Sequence, residues 1–299
     1  MIERPVIVGY DGSLAAGAAL KWAQDEAARR SAPVRLVYVY EWATSVVPVP
    51  AGSSWPDPDV RHEVTAAIHE AVDHAREVRP EVPVTGAVVD GTVTATLRKL
   101  SEGAQLLVLG DRGLGGFIGL RAGSVAVGGA THARCPVIMV RGCAPPRLPV
   151  VVGIDDSPDA AEAVAFALDQ AVARGVDLVA VRACQPPPVP RRRDAAPPTY
   201  DREELHRAQR RLVDAALQGW REKHPDVAMN VRLVHTTAAD ALITASADAQ
   251  LVVVGARGRG GFPGQALGSV VRKLIDHAHC PVAVVRHRIE GAEHGEVLQ

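Results

Sequence analysis

Aromatic residues are scarce: Phe, Trp and Tyr make up 4% of the 299 residues. That leaves little material for the stacking platforms that bind single-stranded nucleic acid, and the cores must be built from Val, Ala, Leu and Ile. An excess of either charge is also lacking. The net charge is -1 at pH 7 and the pI is about 6.8. No global basic field draws the chain to nucleic acid or anionic lipid, and neither is expected as a partner. The local run Arg191-Arg192-Arg193 lies among prolines and reads as a solvated loop. Four cysteines do not make a disulfide framework. No apolar run approaches the ~18 residues of a membrane helix. The apolar segment Val6-Ile7-Val8 follows the N-terminus too closely for a signal peptide to precede it. The expectation is a cytoplasmic protein with reduced thiols.

What is abundant is repetition. Gly110-Asp111-Arg112-Gly113 is followed, after nine residues, by Gly123-Ser124; Gly255-Ala256-Arg257-Gly258 is followed, after nine, by Gly268-Ser269. From Gly110 to Arg141 and from Gly255 to Arg286 the segments align without a gap, with 17 of 32 positions identical. Most identities are glycines or the Ser-Val and Cys-Pro pairs, whereas a duplicated core would match at apolar positions. A duplicated backbone-lined binding site is the natural reading, and the repeat fixes the organisation of the whole chain. Cys135 and Cys280 fall at equivalent repeat positions; Cys143 and Cys184 do not.

Each half alternates strand and helix patterns. In the first, strands are expected at Pro5–Tyr10, Val34–Tyr40, Val84–Val89, Leu106–Leu109 and Pro136–Val140, with helices at Ala15–Arg30, Arg61–Val78, Thr94–Glu102 and Ser124–Ala133. In the second, strands are expected at Val150–Ile154, Val176–Val181, Val231–Val234, Leu251–Val254 and Val282–Val285. The segments Trp42–Val60 and Gln185–Pro198 are Pro-rich surface loops. Continuous apolar strands point to parallel sheets covered on both faces. The fold class is α/β: two tandem doubly wound domains, residues 1–143 and 147–290, each a five-stranded mainly parallel sheet with helices on both faces. Residues 291–299 read as a disordered tail.

Ligands of open α/β sheets sit at the carboxyl ends of the strands. Three features converge there in each half: the turn after strand one (Gly9, Asp11; Gly153, Asp155), the end of strand two (Val39; Val181) and the glycine loop after strand four. The loop has the chemistry of an anion cradle, with glycines for close backbone approach and a helix N-terminus for phosphate. The candidate residues are Gly110, Asp111, Arg112, Gly113, Leu114, Gly115, Gly116, Gly123, Ser124 and Val125 in the first half. In the second they are Gly255, Ala256, Arg257, Gly258, Arg259, Gly260, Gly261, Gly268, Ser269 and Val270. The loop is neither a Walker A sequence nor the dinucleotide fingerprint. Asp11 and Asp155 can accept from a ribose hydroxyl, help hold a divalent ion, or cap the helices that follow them. Arg112 and Arg257 can bind phosphate or face solvent. His132-x-x-Cys135 and His277-x-His279-Cys280 offer too few ligands for a structural zinc site and read as packing at the entry to a buried strand.

The Gly-x2-Gly-x9-Gly-Ser pattern, the Val-Gly-x-Asp-x-Ser start and the His-x-x-Cys-Pro-Val ending resemble the universal stress proteins, over roughly Pro5–Arg141 and again over Pro149–Arg286. The resemblance is to a tandem member of the family's ATP-binding branch. It implies one ATP per domain, with Mg as a possible companion. The motif glycines and serine would hold phosphates, the first Asp would lie near the ribose, and the end of strand two would contact adenine. No nucleophile–base pair repeats near the loop, so regulation by nucleotide occupancy is expected rather than turnover, with at most a weak ATPase. The alternatives are a slow nucleotide hydrolase and a ligand-free interaction scaffold. An exposed sheet edge at strand five makes a homodimer the expected assembly. The halves differ in ways that favour the second site: Asp111 puts a carboxylate in the first loop, and Gly128 and Gly129 loosen the helix behind it.

Overall fold

A computed structural model of the chain describes residues 4–41, 58–113, 123–142, 145, 147–184, 201–259 and 266–287. Leu114, Gly115, Gly116, Gly260, Gly261, Cys143, the run Arg191-Arg192-Arg193 and the 291–299 tail lie outside the described residues. The first half runs β1 (Val6–Gly9), α1 (Leu14–Arg30), β2 (Val34–Tyr40), α2 (Pro58–Val78), β3 (Val84–Asp90), α3 (Val93–Ser101), β4 (Leu106–Gly110), α4 (Ser124–His132) and β5 (Val137–Val140). The second runs β6 (Val150–Gly153), α5 (Pro158–Arg174), β7 (Leu178–Ala183), α6 (Arg202–Lys223), β8 (Met229–Val234), α7 (Ala238–Ala245), β9 (Leu251–Gly255), α8 (Ser269–His277) and β10 (Val282–Val285). α2 starts at Pro58, inside the expected loop, because proline is well placed in a helix's first turn.

Local chemistry starts and stops the first helix of each half in the same way. Ser13 caps α1 by accepting from the Ala16 N–H, and Ser157 caps α5 by accepting from the Ala160 N–H. The helices end in left-handed residues, Ser31 at φ 51° and Gly175 at φ 62°. α1 and α5 then cross one face of the sheet with α2 and α6, burying Ala19, Ala23, Ala163 and Ala167 against Val6, Val8, Val150 and Val152. The other face carries α3 and α4, then α7 and α8. Small alanines on the helices let them approach a Val-rich sheet closely, which is how a core with few aromatics closes.

The two five-stranded sheets form one ten-stranded sheet, ordered β3-β2-β1-β4-β5-β10-β9-β6-β7-β8. Pairing is parallel within each half and antiparallel at the centre, where Val137, Ile138 and Met139 face Val284, Ala283 and Val282. This corrects the basis of the expected homodimer. The fifth-strand edges are not exposed; each covers the other within one chain.

A buried ion cluster sits on the same junction. Glu26 on α1 is fully buried and accepts from Gln170 Nε2 at 2.7 Å and Arg174 Nη2 at 2.8 Å, both on α5, and from Arg30 on its own helix. The arginines also cross: Arg30 lies over the Phe166 ring and Arg174 over the Trp22 ring. Burial pushes the Glu26 carboxyl up, but the Arg174 and Arg30 guanidiniums and the bonds from Gln170 and Arg30 outweigh it and hold the pKa below the ordinary 4.5. The resulting stabilisation is fully present above pH 4.5 and is lost as pH falls towards the folded-state value. Glu26→Gln should lower stability at pH 7 by about 3 kcal/mol, because it leaves the buried Arg174 guanidinium without its carboxylate partner. The same change should flatten the acid loss of the melting temperature. An unchanged acid slope in the Glu26→Gln variant would place that loss elsewhere.

Candidate functional site

Each half has a cavity at the carboxyl ends of its central strands. The first, about 430 Å³, is lined by Gly9, Asp11, Val39, Gly110, Arg112, Gly113, Gly123, Ser124 and Val125, together with Tyr10, Tyr38 and Leu97. The second, about 690 Å³, is lined by Gly153, Asp155, Val181, Gly255, Arg257, Gly258, Arg259, Gly268, Ser269 and Val270, together with Ala183, Arg182 and Gln209. Both volumes fall in the usual range for small-molecule sites. Asp111 and Ala256 do not line them.

Asp155 is a tether rather than a helix cap. Asp155 Oδ1 accepts from the Ser157 N–H at 3.0 Å and the Ser157 hydroxyl at 2.5 Å, while Oδ2 accepts from the Arg259 N–H at 2.9 Å. One carboxylate therefore joins the turn after β6 to the glycine loop after β9. Asp11 accepts from the Ser13 N–H in the same way, and its carboxylate lies against Gly113. A methyl group on Gly258 would stand 2.6 Å from Asp155 Oδ2. These glycines thus make room for a carboxylate of the chain itself. Ser157 and Ser13 hydroxyls also reach the carbonyls of Arg257 and Arg112, at 3.3 and 3.5 Å.

Gly123 and Gly268 behave differently. They are the N-caps of α4 and α8, with ordinary φ of -73° and -68° and no side-chain cap bond. Among the described residues, an added Cβ would meet nothing nearer than 3.7 and 3.5 Å. Neither strain nor packing by those residues requires glycine there. The helices leave the N–H groups of Ser124, Val125 and Ala126, and of Ser269, Val270 and Val271, without an intrahelical acceptor. All six residues line the cavities.

At the end of the second strand the register corrects the expected correspondence. Gly9 pairs with Val37 and Gly153 with Val181, so Val181 is the counterpart of Val37, not of Val39. The carbonyls of Val37 and Val181 are already used, by the Tyr10 N–H at 3.0 Å and the Ile154 N–H at 2.9 Å. Two residues on, Val39 and Ala183 point their backbone groups to the same side, past the ends of β1 and β6 and into the cavities. Ala183 was missed because an unbroken apolar run carries no alternation from which to read register.

The Asp111 carboxylate lies 3.3 Å from Arg141 Nη2 and 3.7 Å from Arg112 Nε, turned away from the cavity, so it is not set against a bound anion. Gly128 and Gly129 have a packing role: Cβ atoms there would meet Thr94 Oγ1 at 2.9 Å and Leu109 Cδ1 at 2.6 Å, so the glycines let α4 sit close on α3 and β4. What distinguishes the sites is a trio in the second. Arg182, buried at the end of β7, grips Asp156 with both Nη atoms at 2.8 and 2.9 Å, and Arg259 Nη1 reaches Asp156 Oδ2 at 2.6 Å. The hydrogen bonds from Arg182 beside it, with the Arg182 and Arg259 charges, hold Asp156 below its usual value. The register and the repeat place Tyr38, Gly12 and Leu114 at the corresponding positions of the first half. Burial, and then the Asp11 charge, push the Tyr10 and Tyr38 phenols up. Arg112 and Arg257 line their cavities with exposed heads. Asp159, another residue the sequence did not flag, accepts from the N–H groups of Arg257 and His287, each at 3.0 Å. Cys135 and Cys280 are buried, and burial pushes the Cys280 thiol up to about 12.

The architecture is that of a duplicated doubly wound α/β protein with a cavity at the strand ends of each half. The universal stress protein family pattern matches residues 3–141 and, a second time, 147–286. Universal stress protein Rv1996 of Mycobacterium tuberculosis is 35% identical over 310 residues, covering 94% of each chain. A universal stress protein of Mycolicibacterium smegmatis is 36% identical over 300 residues, covering 96% of this chain and 98% of that one. Among solved structures, a universal stress protein from Archaeoglobus fulgidus DSM 4304 shares the fold with a TM-score of 0.69 at 16% identity, covering 96% of this chain and 100% of that one. The chain belongs to the universal stress protein family and carries two of its domains. No helix among the described residues is long and apolar enough to cross a membrane.

The glycines should separate by their surroundings. A methyl on Gly255 would stand 2.8 Å from the Asp159 carbonyl carbon, which is backbone and cannot swing aside. Gly255→Ala should therefore cost about 1–3 kcal/mol. Gly268→Ala should cost under about 1 kcal/mol, the preference of an N-cap for Gly over Ala. Gly258→Ala should fall between them, since Asp155 is a side chain but is held from three sides. Denaturant titration checks the ranking; equal losses at 255 and 268 would contradict it.

Proposed function

We propose that each half binds one ATP, with Mg²⁺ accompanying its phosphates, and that the protein acts in stress response through nucleotide occupancy. The observation that carries this reading is the pairing, in both cavities, of an uncapped helix N-terminus with an unspent strand end. Gly123 and Gly268 leave the helix N-termini open although no described neighbour demands glycine there. Open N–H groups at a helix start suit a phosphate. Opposite them, the N–H and C=O of Val39 and Ala183 form a fixed donor–acceptor pair. Adenine presents an acceptor at N1 beside a donor at the 6-amino group; guanine presents the reverse. A rigid pair that satisfies one leaves the other with unmatched polar groups. The Asp155 tether pre-forms the second loop, so less ordering remains to be done there on binding.

Occupancy rather than turnover follows from what lines the cavities. Among the described residues neither lining contains a histidine or lysine. The Asp155 carboxylate, which could act as a base, is engaged as a tether, and Asp11 accepts from the Ser13 N–H. Positioning alone gives slow hydrolysis, so bound ATP would persist long enough to mark a state of the protein. The cytoplasm, where ATP is plentiful, is the compartment in which this reading operates.

The direct test is mass spectrometry of nucleotide carried through purification, followed by calorimetry with ATP and GTP on the full chain. ATP should bind more tightly than GTP, and equal affinities would defeat the base-reading argument. Ser269→Ala removes one hydrogen bond to a charged group, worth about 1.5–3 kcal/mol, so the second site should weaken at least about tenfold. Gly268→Ala should also weaken it while leaving the fold intact. Normal affinity in both variants would remove the helix N-terminus from the site.

A further inference from the structure

Two arginines that the site does not use cross the junction between the halves. Arg141 follows β5 and Arg286 follows β10, at equivalent places in the repeat. Because the central strands run antiparallel, each arginine leaves its strand beside the opposite half. Arg141 Nη1 donates to the carbonyl of Ala278, the C-cap of α8, at 3.0 Å, while its Nη2 holds Asp111 at 3.3 Å. Arg286 Nη2 donates to Ala130 and Thr131, in the last turn of α4, at 2.6 and 2.7 Å, and to Ala266 at 3.1 Å. Each guanidinium thus holds its own glycine segment with one contact and the far half's post-glycine helix with another. Arg141 sits largely out of water and Arg286 partly so, at helix C-termini where cations are favoured.

The helices they hold are the ones whose N-termini line the cavities. α4 and α8 are nine residues each, short enough to move as rods. A ligand seated on the start of α4 moves the carbonyls that Arg286 reads, and Arg286 bears on Ala266, two residues before Gly268 in the other cavity. The reverse route runs from α8 through Arg141 to Asp111, beside Gly110. We infer that Arg141 and Arg286 are positioning residues that make the two cavities bind as a coupled pair, a conclusion that rests on the nucleotide reading above. Interface stabilisation alone would shift both affinities together. Coupling changes the affinity of one site when the other is filled, by the same factor in either direction.

The experiment uses the full chain and ATP. Gly123→Asp and Gly268→Asp each close one site, since aspartate caps a helix well and repels a phosphate. Calorimetry on these variants gives each site's affinity with the other empty. In the unmodified chain, the overall two-ligand constant divided by the product of those single-site constants is the coupling factor. It should differ from one by at least about fivefold and return to within about twofold of one in Arg141→Gln/Arg286→Gln. Asp111→Ala, which breaks one link without touching the interface carbonyls, should remove part of it. A factor of one in the unmodified chain, or one that survives both arginine substitutions, overturns the inference. If no ATP binds, the nucleotide reading fails separately, and the link is tested without ligand. Gly123→Asp should then alter hydrogen exchange at residues 266–271 of the opposite half when Arg286 is present and not in Arg286→Gln. Unchanged exchange there overturns the inference as well.

Discussion

Everything in this chain hangs on the antiparallel pairing of β5 with β10. Inside each half the strands are parallel, and a parallel sheet needs helices on both faces and an ending for its last strand. The last strands end on each other, so Val137–Met139 and Val282–Val284 complete one another's hydrogen bonding. That reversal turns two copies of one fold into a single sheet. It also brings α1 against α5, so that a glutamate on one meets an arginine and a glutamine on the other. Burying a carboxylate between two helices is costly unless it is fully satisfied, and Glu26 is satisfied only when both halves are in place.

The same reversal puts the two cavities at corresponding strand ends on either side of the junction, and their chemistry has separated. In the first, the phenols of Tyr10 and Tyr38 feel the Asp11 charge. In the second, Ile154 is apolar, and Arg182 with Asp156, Arg259 and Gln209 forms a charged wall joining the β6 turn, the end of β7 and the glycine loop. Residues that touch one another differ together, which is how a change of wall rather than scattered drift reads. Both halves keep an aspartate carboxylate against the second glycine of the loop, at Gly113 and Gly258.

Elements were legible in the sequence because their signals are local. Short Val-rich runs, bounded by Gly, Asp and Pro, read as covered strands without reference to the rest of the chain. The glycine loops announced the cavities for the same reason. What stayed hidden depends on residues far apart in the chain. Asp111 looked like a charge aimed at a ligand until Arg141, thirty residues on, was seen to hold it. Gly128 and Gly129 looked like weak helix formers until Thr94 and Leu109 were found filling the space a Cβ would take. The offset between Val39 and Val181 needed a register that an unalternating strand does not carry. The central pairing could not be read at all, since strand five of one half alone says only that an edge exists.

The central seam has a consequence for how such a chain can change over time. Two separate polypeptides joining edge to edge must each remain compatible with copies of themselves. At the β5–β10 seam each half meets its covalent neighbour, at fixed one-to-one stoichiometry, rather than a duplicate of itself. A substitution on one side, such as Arg182 where the other half has Tyr38, is therefore never forced onto both sides of the junction at once. Joining the halves in one chain frees each from the symmetry it inherited, and lets one scaffold keep two chambers of different character.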